Sequence, residues 1–405
     1  MTTPSRTVTT RVVLLCFAAV LISYLDRTNI SIAAIAMQEQ LGWDEATKGL
    51  VLSSFFIGYL LLQVVAGSLA NRWGGRIVLG VAVLWWSLFT GLTPPAALTS
   101  FAMLIAARIA LGLGEAAVFP GSINMIGRWV PAEQKSRAVA LFSSGLSLGT
   151  VLALPLTAWI IRVWGWPMAF YAFGALGLVW GAAWFGLVPE GRGVAATDSG
   201  GQAVPWRRIF TTPAVWAIIT CHFAHNWALY LLLAWLPSYF KTTFSMTLAN
   251  AGWYASAPWL ASFVMANVGG LAADRMMRAG RSTTFVRKAL LCVAFFGSAI
   301  FLLALPLANT PTTAVVLMCC TTSALAFAIA GFGPNAFDIA PRYADVVWGI
   351  TNTAGTLPGI VGVAITGYLV QRTGSYAAPF QVTAGLCVVG ALTYLAIGSG
   401  ERQID

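Results

Sequence analysis

The sequence predicts an all-α membrane protein of twelve transmembrane helices, arranged as two pseudo-symmetric six-helix bundles. Three observations carry that prediction. The 405-residue chain is 58% hydrophobic and 9% charged, whereas a water-soluble domain averages about 25% charged residues. Apolar runs long enough to cross a bilayer recur twelve times, six on each side of a Gly-rich break. The second and eighth runs end in related sequences, Gly67-Ser68-Leu69-Ala70-Asn71-Arg72 and Gly270-Leu271-Ala272-Ala273-Asp274-Arg275, as expected of a carrier built from two repeats.

In order, the first six spans are expected at about 12–37, 47–70, 77–97, 99–127, 137–161 and 166–188. The second six follow at about 213–240, 248–273, 285–306, 312–337, 345–371 and 376–398. Between them, 190–212 holds Gly191, Gly193, Gly200, Gly201, Pro205 and the pair Arg207-Arg208, and reads as a flexible cytoplasmic linker. The domains are thus an N-terminal bundle over 1–189, the linker over 190–212 and a C-terminal bundle over 213–405. Only ten residues precede the first apolar run, so no cleaved signal or transit segment is expected.

Lys and Arg set the orientation. With the N-terminus inside, the outer loops receive only Lys48, Arg162, Lys241 and Arg372 of the 23 basic residues. That skew predicts both termini in the cytoplasm. The net charge of +10 does not indicate nucleic-acid binding, because the basic residues lie in short gaps between apolar runs. Cys16, Cys221, Cys292, Cys319, Cys320 and Cys387 all lie in apolar runs without the spacing of a zinc site or disulfide framework. His222 and His225, three apart, lack a third ligand for a metal and are expected to be hydrogen-bonded helix histidines. Asn29-Ile30-Ser31 matches a glycosylation sequon but falls inside a span. Gly112-Leu113-Gly114 is embedded in an apolar run rather than following a strand, so it is no nucleotide loop.

Four charges interrupt the spans deeply: Asp26 and Arg27 in the first, Arg108 and Glu115 in the fourth. A charge at the bilayer centre costs roughly 2.5 to 3.5 kcal/mol on insertion scales and normally has a partner or a wet cavity. Arg108 and Glu115 share a helical face but lie about 10 Å apart along the axis, so each needs a partner on another helix. Together the four are formally neutral.

Several motifs then resemble one family. Gly67 to Arg76, with its partial copy over Gly270 to Arg281, resembles the loop signature of the major facilitator superfamily. Tyr24-Leu25-Asp26-Arg27-Thr28-Asn29-Ile30-Ser31, Phe55 to Gln63, and Arg108 to Gly112 with Gly114, Glu115 and Pro120 narrow the resemblance to its anion:cation symporters. So do His222-Phe223, Asn226-Trp227, Leu236-Pro237-Ser238-Tyr239 and Asp338 to Ala344. The resemblance implies a fold in which helices 1, 4, 7 and 10 line a cavity while 3, 6, 9 and 12 face lipid. Two departures stand out. Asn71 replaces the usual Asp of the loop motif, weakening its charge pairing, and Leu52 stands where vesicular glutamate transporters carry a histidine. Without the targeting segment of the plant relatives, the resemblance implies a bacterial inner membrane.

On this reading Arg27 and Arg108 hold the anion, since a guanidinium stays charged and grips a carboxylate with two parallel hydrogen bonds. Glu115 and Asp26 carry protons, because desolvation or a neighbouring arginine tunes a buried carboxyl. Tyr24, Tyr59, Gln63, Asn226, Trp227, Tyr230 and Asn352 supply directional hydrogen bonds and aromatic walls. Arg72, Arg76, Asp274 and Arg275, in the two loop copies, are the gating candidates the resemblance implies. The expected function is proton-coupled symport of a small organic anion by alternating access. Inorganic phosphate with H+ or Na+ is the alternative, and a receptor that binds without transport is a reading of another class. No Ser-His or Cys-His constellation indicates an enzyme. The partners expected are the anion and the lipid bilayer, with no cofactor, metal or nucleic acid, and the chain is expected to act as a monomer.

Overall fold

A computed structural model describes residues 6–189 and 204–404. Among the described residues there are helices and no strands. This is what a bilayer demands of a chain that cannot close a barrel, because each backbone polar group must be satisfied within its own helix.

The chain divides into two compact units, Met1–Trp43 with Val51–Gly201, and Asp44–Leu50 with Gln202–Asp405. The first is built from α1 (Arg6–Leu41), most of α2 (Glu45–Trp73), α3 (Gly75–Thr99), α4 (Phe101–Glu115), α5 (Val118–Trp129), α6 (Ala132–Trp164) and α7 (Trp166–Leu187). The second holds α8 (Trp206–Thr211), α9 (Pro213–Thr243), α10 (Leu248–Arg278), α11 (Thr283–Ala304), α12 (Pro311–Phe332), α13 (Asn335–Ile339), α14 (Ala344–Thr373) and α15 (Ala377–Ile397). Counting α4 with α5 and α12 with α13 as single broken spans, each unit contributes six spans, the twelve-helix arrangement expected.

The helices outrun their apolar stretches. α1 has 36 residues, about 54 Å of helix against a hydrocarbon core of about 30 Å, so its Arg-bearing start extends past the apolar layer. Eleven described helices are apolar and long enough to span a membrane. α10 is the exception: at 31 residues it is long enough, but Asn250, Ser256, Pro258 and Asn267 lower its hydropathy.

The run expected as one helix over 99–127 is broken after Glu115. The amides of Ala116 and Ala117 bond to the carbonyls of Gly112 and Gly114 at 3.2 Å each, tightening the turn. Pro120 then sits in the first turn of α5, where its missing N–H costs nothing. A similar break at Gly333-Pro334 separates α12 from α13. The linker also differs from expectation. Residues 190–203 lie outside the described residues, but Trp206–Thr211 is helical, Ile209 is buried, and Arg208 Nη2 donates to the Gln403 carbonyl at 2.7 Å. Lys48 does not sit in an outer loop. It is enclosed in α2, with Nζ 2.8 Å from Glu45 and 5.0 Å from the Trp235 ring centre, inside the second unit.

In the first unit α1 packs on α6 and α7, and a core of Leu25, Ala153, Ile160, Ala169 and Phe173 forms where they meet. In the second, α12 packs on α10 and α11, while α9 packs on α14 and α15. Large apolar side chains such as Leu61, Val179, Ile300 and Leu307 point outward, as befits a molecule solvated by lipid. Gly74 and Gly280, in the two loop copies, both have positive φ, 86° and 79°. A backbone there turns in a way that L side chains resist.

Candidate functional site

α1 presents Ser23, Asp26 and Arg27 at helical spacing, all buried. Arg27 reaches α4: its Nε and Nη2 donate to Glu115 Oε2 at 3.2 and 3.0 Å, and Ser23 Oγ donates to the same oxygen at 2.9 Å. Glu115 is fully buried and its Oε1 has no hydrogen-bond partner among the described residues. Arg27 therefore pairs with Glu115 on another helix.

Aromatic rings enclose the Arg27 guanidinium. Its Cζ lies 4.9 Å from the Tyr24 ring centre, 4.8 Å from Phe55 and 4.7 Å from Tyr59, distances at which a cation is attracted to the ring face. Two glycines set up this wall. A Cβ on Gly58 would collide with the Ile109 carbonyl, and one on Gly112 with that of Phe55, so α2 and α4 meet backbone to backbone. The contact brings Phe55 to 5.7 Å from Arg108 Cζ. Arg108 is 1% exposed, yet its Nε and Nη1 have no hydrogen-bond partner among the described residues.

Asp26 Oδ2 accepts from the Trp86 indole of α3 at 3.0 Å, while its Oδ1 has no partner among the described residues. The third helix was expected to face lipid only. One face of α3 does so through Ile77, Val81, Trp85 and Leu88, while Trp86 on the other reaches the central acid. Beside it, Asn29 is fully buried with neither amide atom bonded to a described residue. In the sequence Asn29 stands out only as part of a motif and a sequon; a polar amide deep in a span is the signal that gives it weight.

In the second unit the predicted residues are distributed differently. Asn226 Nδ2 donates to the Gly355 carbonyl at 2.7 Å and joins α9 to α14. Trp227 is buried, and a Cβ on Gly362 would meet its ring at 3.0 Å; Tyr230 is buried, and Asn352 is half-buried on α14. Gln63 is half-buried on α2 in the first unit. His222 packs against Phe332 and Trp348 at 4.8 and 5.3 Å, and His225 against Phe332 at 5.5 Å. Against expectation, the Nδ1 of each has no hydrogen-bond partner among the described residues.

Of the gating candidates, Arg76 binds carbonyls at the end of α7: Nε to Val188 at 2.8 Å and Nη2 to Phe185 at 2.9 Å. Arg72, Asp274 and Arg275 are exposed. Asn71 Oδ1 accepts from Asn124 Nδ2 at 3.0 Å, and Asn124 Oδ1 accepts from the Gly75 amide at 3.0 Å. The sequence reading also missed a forked ion pair. Arg287, buried near the start of α11, donates to Asp338 Oδ2 at 2.9 Å and Oδ1 at 3.4 Å, and to the Ala330 carbonyl at 2.8 Å. Among the described residues no group of three or more His, Cys, Asp or Glu is placed to hold a metal ion.

The sequence model of the Major Facilitator Superfamily matches residues 16–363. Sodium-dependent phosphate transport protein 1, chloroplastic, of Arabidopsis thaliana is 41% identical over 409 residues, covering 97% of this chain and 80% of that protein. The chloroplastic ascorbate transporter of the same plant is 40% identical, covering 97% and 75%. Probable anion transporter 6 of Oryza sativa subsp. japonica is 34% identical, covering 97% and 98%. Among solved structures, a D-xylose-proton symporter superposes with a TM-score of 0.82 at 15% identity, over 97% of this chain and 99% of that one. A bacterial homologue of the human lysosomal transporter Spinster, inward-facing and occupied, gives 0.80 at 17% identity, over 97% of each chain. These two likenesses are of fold.

Proposed function

Because the chain belongs to the Major Facilitator Superfamily, in the branch that holds the plant chloroplast anion transporters, we propose that it is a secondary active transporter performing proton-coupled symport of a small organic anion, a carboxylate or sugar acid, by alternating access. The observation that carries this reading is Arg108. A guanidinium buried to 1% exposure with Nε and Nη1 unbonded is costly to maintain unless a ligand completes it. Neither acid hydrogen-bonds to those two nitrogens: Glu115 Oε2 accepts from Arg27 and Ser23 and Asp26 Oδ2 from Trp86, while the second oxygen of each is unbonded among the described residues.

The shape of the guanidinium bears on the substrate. The planar Arg108 guanidinium beside the Phe55 ring suits a planar carboxylate, which accepts two parallel hydrogen bonds along one edge of the group, from Nε with Nη2 or from Nη1 with Nη2. A phosphate offers oxygens on several sides and asks for donors around it. A phosphate:cation symporter, with H+ or Na+, is the second reading, favoured by the 41% identity to a relative named for sodium-dependent phosphate transport.

Coupling follows from charge. Asp26, Arg27, Arg108 and Glu115 sum to zero, and an entering monoanion brings one negative charge. Protonation of Glu115 or Asp26 restores neutrality, and proton and anion then raise each other's affinity by one common factor. No further cofactor is required. The proposed setting is a bacterial inner membrane, the protein working as a monomer, with both termini in the cytoplasm as the Lys and Arg skew implies. A reporter fused after Asp405 tests the orientation, and a periplasmic signal overturns it.

The deciding experiment is uptake by proteoliposomes of the purified protein under an imposed inward proton gradient. Radiolabelled sugar acids, simple carboxylates and phosphate are supplied in parallel, with and without Na+. Accumulation of a carboxylate driven by the proton gradient supports the reading. Phosphate accumulation replaces it with the alternative, and saturable binding without uptake replaces it with a receptor.

A further inference from the structure

Away from the central charges, the first unit carries a second basic feature. A cavity of about 420 Å³ opens where α2 turns into α3, lined by Arg72, Arg76 and Arg128 together with Trp73 and Trp129. Arg76 is fixed by its bonds to the Val188 and Phe185 carbonyls, so its charge has a defined place. Arg128 Nε is buried and has no hydrogen-bond partner among the described residues. At position 71, where the loop motif ordinarily supplies an acid, an asparagine is bonded to Asn124. Three guanidinium groups therefore border one space, and among the described residues that line it there is no carboxylate.

The cavity adjoins a groove that it does not resemble. The groove, of about 350 Å³, shares Trp73 and Ile77 with it and runs on past Val81, Trp85 and Leu113, with an almost wholly apolar lining. Its α3 wall is the outward face of that helix, where Ile77, Val81 and Trp85 are 49%, 53% and 44% exposed. A free phosphate fits the basic end and has no use for the groove. A neutral hydrocarbon fits the groove and brings no charge to Arg72 and Arg128. One molecule carrying an anionic phosphodiester at one end and an acyl chain at the other suits both.

We propose that this composite surface is a binding site for one anionic phospholipid, its phosphate held by Arg72 and Arg128 beside the fixed Arg76, and one acyl chain lying along α3 between α2 and α4. Basic side chains at the cytoplasmic edge of a span favour anionic headgroups, and the indoles of Trp73 and Trp129 suit the headgroup depth. The site is separate from Arg108 and does not depend on what the protein transports.

Native mass spectrometry of the purified full chain tests this, with phosphatidylglycerol and phosphatidylcholine of identical acyl chains as probes. Wild-type protein retains phosphatidylglycerol preferentially. Arg72→Gln lowers that preference roughly fivefold, and Arg72→Gln with Arg128→Gln lowers it by about the square of that factor. Val81→Trp, which fills the groove from an exposed position, lowers retention of both lipids. Millimolar inorganic phosphate does not displace the bound lipid. Full preference in the double arginine variant, or unchanged retention in Val81→Trp, overturns the proposal, and displacement by phosphate reassigns the cavity to a free anion. Arg72 is exposed, so the single variant reports on binding even where the double variant folds poorly.

Discussion

Arg27 places two of its nitrogens on a single oxygen of Glu115, 88 residues away in the chain, while the other oxygen of that carboxylate stays unbonded among the described residues. The pair is thus one-sided. A proton on Oε1 need not displace Arg27, although it removes the charge that holds Arg27 in place.

Glu115→Gln imitates the protonated acid with its shape retained. We expect this variant to bind and exchange substrate between equal concentrations but to lose accumulation driven by an inward proton gradient. Counterflow and uphill uptake in the same vesicles separate the two activities. Uphill uptake at the wild-type level moves coupling to Asp26 or to another cation.

Arg108 gives a sharper contrast. If it grips a carboxylate with two parallel bonds, Arg108→Lys keeps the charge and loses the fork. Both Arg108→Lys and Arg108→Ala are then expected to weaken substrate binding by about tenfold or more, since a hydrogen bond to a charged group contributes about 1.5 to 3 kcal/mol. Ligand-induced thermal stabilisation measures this, because a ligand that binds only the native state raises its stability. Wild-type affinity in the lysine variant shows that a positive field alone suffices.

These residues were legible in the sequence for the reason that makes them costly. An ion in an apolar run stands out, and Asp26, Arg27, Arg108 and Glu115 were found that way. The spans were legible because a bilayer requires long satisfied helices. Partners were not, because a pairing across 88 residues depends on how helices pack. Trp86 was invisible as a ligand of Asp26, since an indole in an apolar run looks like one facing lipid. Lys48 misled for the opposite reason: next to a loop in sequence, it is folded under the Trp235 ring.

The Arg287–Asp338 pair is expected to be structural. Arg287 is buried and fills three acceptors, two of them on Asp338. Arg287→Met leaves a largely buried carboxylate without its cation and should cost about 3 kcal/mol or more. Adding Asp338→Asn removes that stranded charge. The double variant should be more stable than the sum of the singles by about 1 to 3 kcal/mol. Thermal unfolding of the four proteins in one detergent supplies the cycle, and strict additivity shows that the two side chains do not act together.

The last expectation concerns what holds Phe55 over Arg108. Gly112 sits where a Cβ would strike the Phe55 carbonyl, whereas a Cβ on Gly127 in α5 meets nothing within 4 Å. Both glycines are helical and neither has positive φ, so backbone preference alone predicts that alanine stabilises each by about 0.4 to 1 kcal/mol. Packing reverses the sign at one of them. Gly112→Ala must push α2 off α4, which lengthens the Phe55–Arg108 contact and widens the aromatic box that α2 forms around Arg27 through Phe55 and Tyr59. Overpacking of this kind costs about 1 to 3 kcal/mol, and the loss should appear in substrate affinity as well as in melting temperature. Gly127→Ala should keep wild-type affinity with equal or higher stability. If Gly112→Ala melts and binds as Gly127→Ala does, then the close approach of α2 and α4 is not what positions the ring beside Arg108, and the guanidinium is held in place by other contacts of α4.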